Sequence, residues 1–351
     1  MICEVQKMRK NNYAPLITGL IFFVMLFIFS ERFIIGINSG LLTCVRIVIP
    51  SVFPFLIASS LTGYGVLPKP LKKLFEPITQ FLFRLPAETV PAIIFGQLGG
   101  YLSGAKSAES LRQNGLINRY QAERLILFST NAGMGFCVNA VGNAMLCSRE
   151  AGRILLVSLC ISALLTGIIL KYIPLKGSDI EKTQLKPPVT FSSAVVTSVS
   201  SASYTMLATC GFVTLFAGVC EVTDFYIKND TLRTAVTCLL EVTKGCIDLT
   251  GKTSLPVIAS VCAFGGICIH LQIFSMSKIN VFRFYLSRII HAVSAYFICK
   301  IILYFNPIES PVFLSFSENA APFSFSPIAA ISLVFLSFLL ISDLDNGKKI
   351  C

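Results

Sequence analysis

The chain of 351 residues is 54% hydrophobic and 13% charged, with a mean hydropathy of +0.75, which excludes a soluble globule and, at this length, a single-span anchor. A formal net charge of +11 would suit nucleic acid. The basic residues, however, are scattered over short connections between apolar runs and form no tract or stripe, so no nucleic-acid partner is expected.

A bilayer span takes about 20 apolar residues. Windows free of Asp, Glu, Lys and Arg cover 11–30, 47–68, 89–105, 125–148, 154–170, 187–220, 253–277 and 319–342. The expected fold class is therefore an all-α polytopic membrane protein, with the lipid bilayer as its partner and the cell membrane as its location. Thirteen cysteines, an odd number, sit mostly inside these windows, as Cys44, Cys137, Cys160, Cys210, Cys262 and Cys299 do. Without CxxC or Cys/His spacing they read as small buried hydrophobes, and no metal or other cofactor is expected.

In chain order, Lys7, Arg9 and Lys10 precede the first apolar run. That run is long and lacks a small-residue cleavage site, so 1–32 reads as a retained transmembrane helix with a cytoplasmic N-terminus. A first half follows over 33–171. It opens with an apolar stretch interrupted by Arg46, Pro50 and Pro54, which predicts a kinked span. Between Pro68 and Pro86, four cations alternate with Leu71, Leu74, Phe75, Ile78, Phe81 and Leu82 near the helical period, as in an interfacial helix.

The stretch 91–145 is two apolar, Gly-rich segments around a short charged connection, and it predicts broken or re-entrant helices lining a polar cavity. A plain span, 154–170, completes this half. The charged, Pro-containing segment 172–191 reads as a linker. A second half, 192–305, repeats the order in outline, with Gly265-Gly266 after Pro256 corresponding to Gly99-Gly100 after Pro91. Matching Gly-interrupted segments in two halves point to a transporter whose site lies where the broken segments meet. A C-terminal loop and span occupy 306–351.

Substrate-binding candidates in the first half are Gln97, Gly99, Gly100, Ser103 and Lys106, with Asn131 and Asn139 from the companion segment. Glycine lets a ligand or a helix approach the backbone, a half-helix end suits a carboxylate, and Lys106 would add a full charge. The competing reading makes the glycines packing contacts, Lys106 a snorkelling lysine and Asn131 an interhelical hydrogen bond.

Glu123 and Arg124 read as an interface pair. In the second half His270, Gln272 and Arg288 are the binding candidates, Arg288 facing either an anion or Glu241. Glu241, Lys244 and Asp248 stand close to one helical face, with Lys244 and Asp248 spaced as a pair, and mark an ion-coupling path if buried or a solvated face if not. His270 reads either as a proton-responsive group or as a hydrogen-bonded core residue. No HExxH, GxSxG, Walker or paired acidic motif appears, so no enzyme and no catalytic residue is expected.

At GGYLSGAKSAESLRQNGLINRYQAERLILFSTNAGMGFCVNAVG, and again at PSVFPFLIASSL, LLEVTKGCIDL and AFGGICIHLQIFS, the chain resembles the YlbJ-type sporulation integral membrane proteins, which belong with the nucleoside-recognition or gate-domain membrane proteins of spore formers. Leu102 stands where the family often has Pro, and Thr130 where it has a second Asn. The resemblance implies two gate-like repeats and transport of a small anionic solute, dipicolinic acid, from mother cell toward forespore, with the outer forespore membrane as the site of action. A nucleoside-type cargo and a non-transporting scaffold of the spore envelope are the alternatives, and a homo-oligomer is compatible with either.

Overall fold

The computed structural model describes residues 13–173 and 189–308. The N-terminal cations, most of the expected linker and the final apolar run lie outside the described residues. Among those described, every regular element is helical, and five helices are long and apolar enough to cross a bilayer: Ser30–Tyr64, Arg149–Leu170, Phe191–Tyr226, Leu255–Met276 and Val281–Phe305. Their flanks leave Leu207, Phe282 and Tyr304 73%, 76% and 81% exposed, a surface that only lipid makes tolerable. The chain is an all-α, multi-pass membrane protein.

Helix α1 (Ala14–Ile28) leads into the span built from α2 (Ser30–Thr43), a π-helical turn Cys44–Val48 carrying Arg46, and α3 (Ile49–Leu61) with Pro50 in its first turn and Pro54 inside. Pro50 and Pro54 each lack an N–H, and the widened turn absorbs the mismatch. Helix α4 (Lys69–Phe83) follows, ended by Arg84 in the left-handed region at φ 56°. It exposes Leu71, Leu74, Ile78 and Phe81 beside Lys69, Lys72 and Lys73, the make-up of a helix lying in the interface. Lys72 donates to Glu88 at 2.6 Å, and this hydrogen bond, with the carboxylate's charge, raises the ammonium pKa.

Four helices then appear as broken pairs. Helices α5 (Val90–Leu98) and α6 (Tyr101–Gln113) part at Gly99-Gly100, where Gly100 has φ 104°. Helix α7 (Arg119–Ser129) unwinds over 130–133 before a π-helical segment, Gly135–Met145. After α8 (Arg149–Leu170) and α9 (Phe191–Tyr226), α10 (Asp230–Leu240) and α11 (Val242–Leu249) part at Glu241. Helices α12 (Leu255–Phe264) and α13 (Gly266–Met276) part at Gly265, with φ of 90° at Gly265 and 76° at Gly266, and α14 (Val281–Phe305) closes the described chain.

Each half thus runs long helix, broken pair, broken pair, long helix. The opening long helices pack on each other, α9 against α2 and α3, and so do the closing ones, α14 against α8. By element order the Gly99-Gly100 break matches the one at Glu241, and the 130–133 break matches the one at Gly265. This differs from the Gly-Gly correspondence in the sequence, because the second half makes its first break with an extended glutamate and no glycine.

The four breaks converge. A Cβ on Gly133 would stand 2.6 Å from Gly100 N and 2.8 Å from Gly99 C, one on Gly266 would stand 3.3 Å from Leu240 O and Val242 N, and one on Gly265 would stand 3.2 Å from the Tyr101 ring. Positions on Gly96 and Gly104 are likewise filled by Ser129, so these glycines serve close packing. Helix α6, polar as it is, has ten of its thirteen residues buried, Ser103, Ser107, Glu109 and Ser110 among them. It is wrapped by protein, which is where such a sequence can sit at membrane depth. Its Ser107 and Ser110 bond to Thr62 (2.5 Å) and to Ser60 O (2.7 Å) at the end of the first span.

Replacing Gly133 by Ala pushes a methyl into backbone that cannot yield. Overpacking of this kind costs about 1–3 kcal/mol, so thermal unfolding in detergent should show a clear drop in Tm, and an unchanged Tm would show that the breaks do not meet here.

Candidate functional site

An α-helix leaves its last four carbonyls without intrahelical donors, and at membrane depth no bulk water can serve them. At the end of α7 each one meets a side chain or a neighbouring backbone. Ile126 O accepts from Thr130 Oγ1 (3.0 Å), Leu127 O from Arg288 Nη2, and Phe128 O from Gln97 Nε2 (3.3 Å). Ser129 O packs against Gly96 and Gly104. In the unwound stretch Thr130 O accepts from Arg288 Nη1 (2.6 Å), Asn131 Nδ2 donates to Gln97 Oε1 (2.9 Å), and Asn131 Oδ1 accepts from Ala132 N (2.9 Å).

The second half follows the same chemistry. At the end of α12, Cys262 O accepts from Tyr101 Oη (2.6 Å) and Phe264 O from His270 Nε2 (2.8 Å). A carbonyl acceptor makes Nε2 the protonated nitrogen of His270, whose ring is enclosed edge-on by Phe264, Phe284 and Tyr285. Glu241 turns its carboxylate onto the start of α11, accepting from Thr243 N (3.0 Å) and Lys244 N (2.7 Å). It is the helix cap that neutralises the N-terminal end of the dipole.

The candidate residues therefore separate into two groups. Gln97, Asn131, His270, Arg288 and Glu241 hold the freed backbone of the breaks. Ser103 also stays local, donating to Gly99 O at 3.0 Å, while Gly99 and Gly100 form the turn itself. Asn139 is exposed on the π-helical segment, away from the breaks. Lys106 and Gln272 do something else. They line a cleft of about 190 Å³ between α6, α9 and α13, with Glu109, Thr205, Thr209 and Ser275. At a rise of roughly 1.5 Å per residue they stand about 7–9 Å along the half-helices that start at the breaks.

Lys106 Nζ is held from α9 by Ser201 Oγ (2.5 Å), Thr205 Oγ1 (3.3 Å) and Ser201 O (3.4 Å). Glu109 is taken by Arg112 at 2.6 Å and accepts from Gln113 Nε2 at 2.9 Å. Gln272 is 2% exposed, and its Oε1 has no hydrogen-bond partner among the described residues.

Three pairings expected from sequence are replaced. Lys244 pairs with Asp224 and, at 3.4 Å, with Glu221 on α9, and not with Asp248 one turn along its own helix. Arg288 faces carbonyls, not Glu241. Glu123 pairs with Arg283 (3.3 Å), while Arg124 donates to Phe83 O, Lys171 O and Ile173 O. Adjacent helical residues point about 100° apart, so each of these two finds its own neighbour. Tyr101, Ser201 and Thr205 were not among the expected site residues. Tyr101 could have been noticed as the one aromatic hydroxyl directly after Gly-Gly.

Gln97 and Asn131 should be energetically coupled. Each alanine substitution alone is expected to cost about 1–3 kcal/mol through an orphaned buried partner, and a double-mutant cycle in thermal unfolding should return an interaction of at least about 0.5 kcal/mol. Additive losses would mean that the amide pair does not exist.

No family model matches the chain, and no solved structure matches it. Over 135 residues it is 30% identical to the sporulation integral membrane protein YlbJ of Bacillus subtilis (strain 168), a stretch that makes up 38% of this chain and 33% of that protein. The similarity spans about a third of the length of each.

Proposed function

We propose that this chain is a sporulation integral membrane protein that carries a small anionic solute across the bilayer, with dipicolinic acid as the cargo suggested by the family resemblance and the outer forespore membrane as its place. The sporulation role rests on the relative's name and on the resemblance of the motifs around 99–142. One observation carries the transport reading: a cleft between two half-helices that begin at converging breaks, holding Lys106 and the Gln272 carbonyl, which has no partner among the described residues. The Lys106 ammonium is hydrogen-bonded to two hydroxyls and a backbone carbonyl and to no carboxylate, since Glu109 in the same cleft is taken by Arg112, so its charge can act on an anionic solute.

A second reading has its own observation. The glycine positions of the breaks are filled by neighbouring backbone, and a tightly packed centre is what a non-transporting scaffold of the spore envelope would also have. The two differ in whether solute crosses.

Uptake into proteoliposomes, with dipicolinate and a nucleoside compared, decides between them. Dipicolinate should accumulate, and Lys106→Ala should lower its uptake roughly tenfold or more, the loss expected for one charge-assisted hydrogen bond. Uptake of neither solute by folded protein would leave the scaffold. Uptake of the nucleoside alone, unaffected by Lys106→Ala, would remove the anionic cargo.

A further inference from the structure

Of the carbonyls freed at the α7 break, two are served by a full positive charge. Leu127 O and Thr130 O both accept from the guanidinium of Arg288, which reaches in from α14. The side chain is 1% exposed, its Nε donates to Ser287 Oγ at 3.3 Å, and its guanidinium stands 5.2 Å from the centre of the Phe284 ring. Arg288 belongs to none of the ion pairs found among the described residues. Its charge is faced by two backbone carbonyls, the Ser287 hydroxyl and the Phe284 ring, and is paired with no carboxylate among the described residues.

A helix C-terminus carries about half a negative charge, and carbonyls of an unwound helix at membrane depth are the usual holders of a coupling Na⁺ or proton. An alkali ion held there can leave and return with each cycle. A guanidinium cannot, because it is tethered to α14 and is not deprotonated in proteins.

We infer that Leu127 O and Thr130 O form a monovalent-cation site whose permanent occupant is the Arg288 guanidinium, standing in for a coupling ion. Where the chain transports, which is the reading given above, solute movement then draws on no alkali cation at this break. The N–H donors of a guanidinium form a rigid planar fork that meets two carbonyls in a preset geometry, whereas the donors of an ammonium have no such fixed arrangement. This explains why an arginine stands here, in a segment whose other break-holding side chains are neutral.

The test uses the purified full chain in detergent and reads thermal unfolding, so it does not depend on transport. Wild type should have the same Tm in NaCl, KCl and choline chloride at equal ionic strength. Arg288→Ala should melt at least about 4 °C lower and regain part of the loss in low-millimolar guanidinium chloride, which leaves wild type unmoved. If Arg288→Ala yields no folded protein, Arg288→Lys and Arg288→Gln decide: Lys, which keeps the charge, should be the more stable of the two. Guanidinium shifting wild type and Arg288→Ala equally, or Arg288→Gln matching or exceeding Arg288→Lys, would overturn the assignment, since hydrogen bonding without charge would then suffice. Should these results hold while proteoliposomes take up no solute, the cation site stands and the transport reading alone fails.

Discussion

A helix broken inside a bilayer must find partners for the backbone groups it frees, and this constraint organises the molecule. Each uncompensated buried carbonyl or amide costs about 1–3 kcal/mol, and four breaks would together exceed the margin by which proteins are usually stable. The chain meets the cost with side chains borrowed across the fold. Arg288 on α14 serves α7, Gln97 on α5 serves α7 and Asn131, and Tyr101 on α6 serves α12. The Arg288 and Tyr101 bonds join residues about 160 positions apart, so these breaks tie the early helices to the late ones as well as being held, while Gln97 ties α5 to α7.

This arrangement explains the composition of the central segments. Glycine occurs where backbone meets backbone, as at Gly133 against Gly99 and Gly100, and where a positive φ is required, as at Gly100 and Gly265. Amides and one imidazole occur where carbonyls end a helix. What remains, Lys106 and Gln272, faces the cleft between half-helices. Separating the polar residues by what they already bond leaves a short set for any solute and relieves Asn131, His270 and Arg288 of that role.

Much of the fold was legible in the sequence. Apolar windows mark the spans, Gly-Gly marks two of the breaks, and the mixture of lysines with Leu74, Ile78 and Phe81 marks the amphipathic helix α4. The break at Glu241 was not, since a glutamate between Leu240 and Val242 reads as a charge on a helix face until its carboxylate is seen capping α11. Partner choice was also hidden. Spacing suggested Lys244 with Asp248, whereas Asp224 and Glu221 approach from α9, and no local pattern records which helix packs alongside. Lys106 stands out in the sequence as a charge in an apolar setting, but the hydroxyls of Ser201 and Thr205 that hold it come from α9, far along the chain.

The breaks are sealed by side chains that the fold itself supplies. Hydrogen–deuterium exchange of the protein in lipid nanodiscs tests this directly, by comparing amides at 132, 241, 243, 244 and 265 with those of the exposed loop 65–67 and of the spanning helix α8. Sealed breaks should exchange at rates close to those of α8, because Ala132 N, Thr243 N, Lys244 N and Gly265 N all have bonded acceptors. Exchange as fast as in the loop would mean that water reaches the breaks, and that the side-chain bonds described here do not hold them.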